Sequence, residues 1–300
     1  MAFRLTNPRL KATAAQAASH LLENFNTTTT RSQFLDANQL QKLSLTLGRP
    51  TLSGIDVSSR APPPGTPIPP GYHLVYFTPN GLESELGADG SDKTYNAPDP
   101  FSRRMWAGGK MKWTGELKVG EEAEERTRLV SATAKKSKSA GELILVEVQK
   151  EIETKSGKVA DTRSWVFRPV VEAETVKMTS MQGPTTIQDV KDGSGLIREY
   201  KWSPVGLFRF SALTFNAHKI HYNEAWTAGI EGHPGVVVHG PLNLICSLDY
   251  WKDVNQRLPT EVAYRAMAPV YSGDEYKIRA DGDAVVVQKQ DTICMKADIQ

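Results

Sequence analysis

Histidine is the side chain whose ordinary pKa, about 6.5, suits proton transfer near neutrality. The chain has six, at 20, 73, 218, 221, 233 and 239, and four of them fall within residues 218–239. Asn216, Glu231, Gly232, Pro234 and Gly235 stand in or beside that window. A cluster this dense, next to a strongly apolar segment, points to acid–base chemistry. His218 and His221 could be joined by Glu231 and His233 around a metal, but the spacing matches no compact zinc signature, and no metal is expected. No G-x-S-x-G nucleophile elbow occurs, since Gly193-Ser194-Gly195 is too short and lies in a polar stretch. No Walker-type phosphate loop occurs either.

The elements that must hold the histidines follow from the hydrophobic pattern. In 242–251, Leu242, Leu244, Ile245, Cys246, Leu248, Tyr250 and Trp251 cover every face of a helix, which marks a buried one. Pro241 suits its first turn, where a missing N–H costs nothing. Gly240 then offers a backbone N–H at a helix N-terminus, with no side chain in the way. The helix dipole favours negative charge there, so Gly240 could hold a developing oxyanion. The plain alternative is an ordinary helix entry. Strand-like pieces follow near 259–268, 274–280, 284–289 and 291–298. One buried helix followed by long antiparallel strands describes a hotdog fold, in which the sheet wraps the helix.

The earlier part of the chain reads as a second, degenerate copy. Residues 122–135, 143–152 and 163–170 carry strand signals, with Ile144, Val146 and Val148 alternating against polar neighbours. Its candidate central helix, near 81–90, is much less apolar. A short helix is expected within 35–48, and the proline-rich 58–71 reads as an extended spacer. Residues 171–197 read as a polar crossover linker. The expected division is a leader or disordered N-terminus over 1–30, an N-terminal hotdog repeat over 31–185 and a C-terminal repeat with the active site over 186–300. The first thirty residues are basic, acid-poor until Glu23 and rich in Ala, Ser and Thr, as organelle transit peptides are.

Composition narrows the function classes. Lys plus Arg is 36 against 34 Asp plus Glu, a net charge of +2, which is no nucleic-acid footprint. No apolar run is long enough to span a membrane. The two cysteines, Cys246 and Cys294, sit in apolar surroundings and read as small buried hydrophobes of a reducing compartment.

Residues 208–242, FRFSALTFNAHKIHYNEAWTAGIEGHPGVVVHGPL, closely resemble the active-site stretch of MaoC-like (R)-specific enoyl-thioester hydratases. The branch they resemble is the mitochondrial 3-hydroxyacyl-thioester dehydratase type 2 group, with its fungal and mesaconyl-CoA-hydratase-like relatives. Residues 70–113 are similar to the upstream region of the fungal members, so the resemblance covers roughly 35–300. It implies an α+β double hotdog that dehydrates 3-hydroxyacyl thioesters, or hydrates the 2-enoyl form, without a cofactor. The family motif of an amide or carboxylate, four residues and a histidine falls on Asn216 and His221. Many relatives have Asp at the first position; Asn can orient a water or hydroxyl but cannot accept a proton. His221 is then the general acid/base, Asn216 the holder of the β-oxygen and Gly240 the oxyanion donor. The partners implied are an acyl-CoA or acyl-carrier-protein thioester, with a homodimer allowed and no nucleic acid or membrane. Arg103, Arg104, Lys110, Arg209 and Lys219 are candidate phosphate contacts. The expected setting is mitochondrial fatty acid synthesis, or the cytoplasm if the leader is not one. A hydratase of a short branched or dicarboxylic thioester and a non-catalytic acyl-thioester binder are the rival readings.

Overall fold

The computed structural model describes residues 12–137, 141–169, 183–193 and 195–300. Eleven of its strands form one antiparallel sheet, built from two chain-contiguous sets. The first set is β1 (Thr29–Phe34), β4 (Arg103–Gly115), β5 (Glu122–Ser137), β6 (Gly141–Glu153) and β7 (Gly157–Arg168), ordered β1-β5-β6-β7-β4. The second is β8 (Thr186–Asp192), β9 (Gly195–Lys201), β10 (Glu261–Ala266), β11 (Tyr276–Asp281), β12 (Ala284–Lys289) and β13 (Thr292–Ile299), ordered β10-β13-β12-β11-β9-β8. They meet where β4 pairs with β10, Tyr264 opposite Gly109. The strands β2 (Thr51–Leu52) and β3 (Ile55–Asp56) make a separate small hairpin.

The apolar segment at 242–251 lies in a helix, Gly240–Asn255, and all seven of its apolar side chains named above are buried. It packs on β11, β12 and β13, whose inward residues include Ile278, Val285, Val287, Met295 and Ala297. The short helix expected within 35–48 spans Ala37–Thr46 and buries Leu40 and Leu43. Another, Pro204–Leu213, is capped by the Ser203 side chain, which accepts from the N–H of Gly206. The proline-rich stretch is irregular, as expected of it, although Ile68 reaches the core.

Three expectations are corrected. The boundary drawn at residue 30 is too far into the chain. Ala14–Asn24 is a helix, and Ala14, Ala17, Ala18 and Leu21 form its buried face against Ile144, Val146 and Phe167. Small side chains let it lie close to the sheet, and a weakly apolar composition hid that face. The Thr13 hydroxyl accepts from the N–H of Gln16, and the Gln16 side chain accepts from the N–H of Thr13, a reciprocal cap that fixes the helix start. Thr29 and Thr30 belong to β1. Second, residues 186–192 and 195–197 of the expected linker belong to the β8–β9 pair, whose polarity is that of a sheet edge, while its residues 171–182 and 194 lie outside the described residues. Third, 81–90 holds no central helix, only the 3₁₀ turn Glu83–Glu85. Among the described residues, the first half therefore has no long helix matching the one that fills the second.

Candidate active site

The described α-helices are, in chain order, α1 (Ala14–Asn24), α2 (Ala37–Thr46), α3 (Pro204–Leu213), α4 (Glu224–Gly229) and α5 (Gly240–Asn255). Between α3 and α4 the chain turns tightly. The N–H of Asn216 donates to the carbonyl of Ser211 at 2.9 Å, and Asn216 Oδ1 accepts from the N–H of His218 at 3.1 Å. A 3₁₀ turn, Lys219–His221, then delivers His221 to the interior. Asn223 caps α4, its Oδ1 accepting from the N–H of Trp226 at 2.9 Å.

His221 is buried, and its Nδ1 lies 2.7 Å from the carbonyl oxygen of Val237. A carbonyl only accepts, so Nδ1 carries the proton and Nε2 holds the lone pair. The ring stacks on His239, with centroids 3.6 Å apart, and His239 Nε2 meets the Ser211 hydroxyl at 2.9 Å. His218 stands edge-on to His221 at 5.6 Å, and its Nε2 lies 3.4 Å from the carboxylate of Asp89. Burial, reinforced by the neighbouring imidazoles, pushes His221 down to about 3 and His239 well below its ordinary value. Burial also pushes His218 down to about 4, against the opposing pull of Asp89. These rings are neutral at physiological pH.

Gly240 opens α5, where its N–H has no intrahelical acceptor. A Cβ added there would meet Trp106 Cδ1 at 3.1 Å, so only glycine fits the position without Trp106 giving way. Asn216, His218, His221, His239, Gly240 and Trp106 all border one cavity of about 1440 Å³, which extends over the open sheet face of the first half.

The three residues expected to act together, Asn216, His221 and Gly240, thus share this cavity. Among the described residues no hydrogen bond links Asn216 to His221; the asparagine side chain bonds the backbone of His218. The metal alternative does not assemble: Arg103 takes up Glu231 at 2.8 Å and lies 3.2 Å from His233 Nε2. Among the described residues no group of three or more His, Cys, Asp or Glu side chains is placed to hold a metal. Of the candidate phosphate contacts, Arg103, Arg104 and Lys219 border the cavity, while Lys110 and Arg209 are exposed and do not. Both cysteines are buried and free, and burial raises the Cys246 thiol to about 12.

Sequence reasoning missed Asp89, Ser211 and Trp106, because only the tertiary fold brings them to the histidines. The Asp89 loop lies flush against 217–219, where Gly90 has a φ of +80° and leaves no room for a Cβ beside the Ala217 carbonyl.

Comparison with known proteins matches residues 71–272 to the family model of hydroxyacyl-thioester dehydratase type 2. A mesaconyl-C(4)-CoA hydratase from Chloroflexus aurantiacus is 30% identical over 245 residues, 79% of this chain and 83% of that protein. A mitochondrial hydroxyacyl-thioester dehydratase type 2 from Schizosaccharomyces pombe is 25% identical over 267 residues, 82% and 87% of the two chains. A solved Mycobacterium tuberculosis protein described as a double hotdog superimposes with a TM-score of 0.52 at 13% identity, covering 91% of this chain and 94% of that one. The architecture is therefore an α+β double hotdog.

Proposed function

Since the chain belongs to the hydroxyacyl-thioester dehydratase type 2 family, we propose that Asn216, His221 and Gly240 are its catalytic centre. The protein is a hydro-lyase that interconverts 3-hydroxyacyl and 2-enoyl thioesters by removing or adding water. The α-proton of such a thioester is weakly acidic until its carbonyl is polarised. The N–H of Gly240, at the positive end of α5, is placed to take that oxygen and to stabilise the enolate. His221 Nε2 takes the C2 proton, and the C–H electron pair moves into the enolate. As the C2–C3 double bond forms, the C3–O bond breaks, and the imidazolium of His221 returns the proton to the departing hydroxyl, which leaves as water. Asn216 holds that oxygen. Burial serves both halves of the cycle: it keeps His221 neutral and basic at rest, and it makes the transient imidazolium a ready acid.

The observation that carries this reading is His221 itself. Its Nδ1–H is tied to Val237, and its ring borders the same cavity as the Gly240 N–H. The test is hydration of crotonyl-CoA, followed by loss of enoyl-thioester absorbance. His221→Ala should lower turnover by about 10²–10⁴-fold with an unchanged melting transition. Near wild-type turnover by a folded variant would overturn the assignment, and no hydration of any enoyl thioester by the wild type would favour the non-catalytic binder.

The inferred substrate carrier is CoA or an acyl carrier protein, and the inferred setting is mitochondrial fatty acid synthesis. The fission-yeast relative supports a mitochondrial address. So do Arg4, Arg9 and Lys11, which precede α1 without an acidic residue. Imaging the full chain and a chain lacking residues 1–11 as fluorescent fusions tests the address. A homodimer is part of the proposal, and sedimentation equilibrium tests it.

A further inference from the structure

The catalytic histidine has no carboxylate of its own. His221 Nδ1–H is taken by the Val237 carbonyl, and Asn216 is an amide. A carboxylate nevertheless reaches the cluster, from the other half of the chain. Asp89 Oδ2 stands 3.4 Å from His218 Nε2, and the two side chains are only 16% and 13% exposed.

The loop that brings Asp89 is fixed at several points. The N–H and hydroxyl of Ser91 donate to Asp89 Oδ1 at 2.9 and 2.8 Å. The Asp89 carbonyl accepts from the Lys219 N–H at 2.7 Å, and the Ala88 carbonyl accepts from Lys219 Nζ at 2.6 Å. Gly90 lies against the Ala217 carbonyl. The loop is therefore seamed to the residues on either side of His218.

This contact decides where His218 keeps its proton. Nε2 is sealed from solvent and makes no hydrogen bond within the protein. A lone pair there would face a carboxylate across a water-poor gap, whereas an N–H faces it favourably. Burial, helped by Arg104, Arg103 and His233, keeps the ring neutral against the pull of Asp89. The ring thus carries one proton, and Asp89 places it on Nε2. That leaves a lone pair on Nδ1, which makes no hydrogen bond among the described residues and is not sealed, in a residue that borders the cavity. His221 offers its own lone pair from a ring whose centre is 5.6 Å away. Two hydrogen bonds of about 2.8 Å to one oxygen span such a gap.

We propose that Asp89 is a positioning residue for the reacting water: it fixes the His218 proton on Nε2, so that Nδ1 accepts the O–H bond that stays intact while His221 takes or returns the other proton. This rests on the hydro-lyase reading above and adds to it the orientation of the oxygen. In hydration the water donates one O–H to each imidazole. His221 Nε2 takes its proton as an oxygen lone pair closes on C3, and the C2–C3 π pair moves towards the thioester carbonyl. The enolate then takes that proton at C2, and the second O–H remains in the product hydroxyl. Asn216 Oδ1 is engaged by the His218 N–H, which leaves its amide N–H groups to donate to the same oxygen. Without Asp89 the ring is free to protonate Nδ1, and that N–H would oppose the O–H of the water.

Nitrogen-15 NMR of the full-length protein with labelled histidines reads the tautomer, the His218 signals being assigned by their loss in His218→Gln. The wild type should carry the His218 proton on Nε2. Asp89→Asn should shift it towards Nδ1, since the amide still accepts from Ser91 and keeps the loop. In hydration of crotonyl-CoA, Asp89→Asn should lower kcat about ten- to a hundredfold, with KM little changed and the melting transition intact. In the His218→Gln background the same change should cost nothing more, because it acts through the imidazole. A His218 proton on Nδ1 in active wild-type protein overturns the proposal, whatever Asp89→Asn does. So does a folded Asp89→Asn variant with unchanged kcat, or one that loses as much again in the His218→Gln background, as a purely structural loop residue would. If the wild type hydrates no enoyl thioester, the hydro-lyase reading falls and takes this proposal with it, whichever tautomer the spectrum shows.

Discussion

The clearest consequence of the buried imidazole cluster is an activity that persists into acid. A free histidine with a pKa of about 6.5 is neutral in only about 3% of molecules at pH 5. His221 is pushed down to about 3, mainly by burial and then by His218. With that value about 99% of the rings keep their Nε2 lone pair at pH 5, about thirtyfold more base than an ordinary histidine would offer. The assay is kcat/KM for crotonyl-CoA between pH 4 and pH 8 at constant ionic strength, since that ratio reports the groups of the free enzyme. The acid limb should fall below pH 5. The fold sets a second limit. His218, His221, His233 and His239 all have folded values below the unfolded one, so below about 6.5 the unfolded chain takes up protons that the folded chain refuses. Stability is therefore full above that pH and declines as pH falls towards the folded values. Melting curves at each pH separate this decline from titration of the base. An acid limb centred between pH 6 and 7 in protein that is still folded would refute the reasoning, because it would mean that the catalytic imidazole is solvated.

Three further outcomes follow from individual contacts. Gly240→Ala should lower kcat by about 10²–10³-fold, the usual cost of a misplaced oxyanion donor, because the new Cβ meets Trp106 at 3.1 Å and shifts the N–H; steady-state kinetics and an unchanged melting curve check it. Leu21→Ala should destabilise the protein by about 2–5 kcal/mol in a urea titration, and deleting residues 1–30 should abolish the cooperative transition, since α1 covers part of the sheet. Asn216→Asp should retain measurable hydration with a shifted pH profile, because the carboxylate keeps the acceptor for the His218 N–H, whereas Asn216→Ala should lose roughly 10²-fold or more; matching rates and pH profiles for both variants would make Asn216 structural.

What could be read from the sequence depended on how local each signal was. The helix at 242–251 was legible because an apolar residue on every face has one physical meaning. The last strand after it was legible because Ile293, Met295 and Ala297 alternate with polar neighbours and Cys294. Asn216 and His221 were singled out through the motif that the resemblance implies and Gly240 through its place at a helix entry, and the fold brings all three to one cavity. The stacking of His239 on His221 was not, since it joins residues eighteen apart through a turn and a helix N-terminus. α1 was misread because its buried face is mostly alanine, and alanine signals burial weakly. The β8–β9 hairpin was misread because edge strands are polar for the same reason that linkers are.

Lys150 is the more instructive case, because one polar residue in an alternating row is ambiguous by itself. It could mark a strand leaving the core, or a register shift. Its meaning comes from what the first half lacks. Where the second half lays α5 over its sheet, the described residues of the first half lay the shorter α1 over part of theirs, against Ile144 and Val146, and the rest of that face borders the cavity. The two halves therefore divide the work through their asymmetry. The second half carries the N-terminus of α5 and the imidazoles, and the first half lines the rest of the same cavity with charged side chains such as Lys150 and Arg163. A substitution that filled the first half with apolar side chains would improve its resemblance to the second and remove the space that the substrate needs.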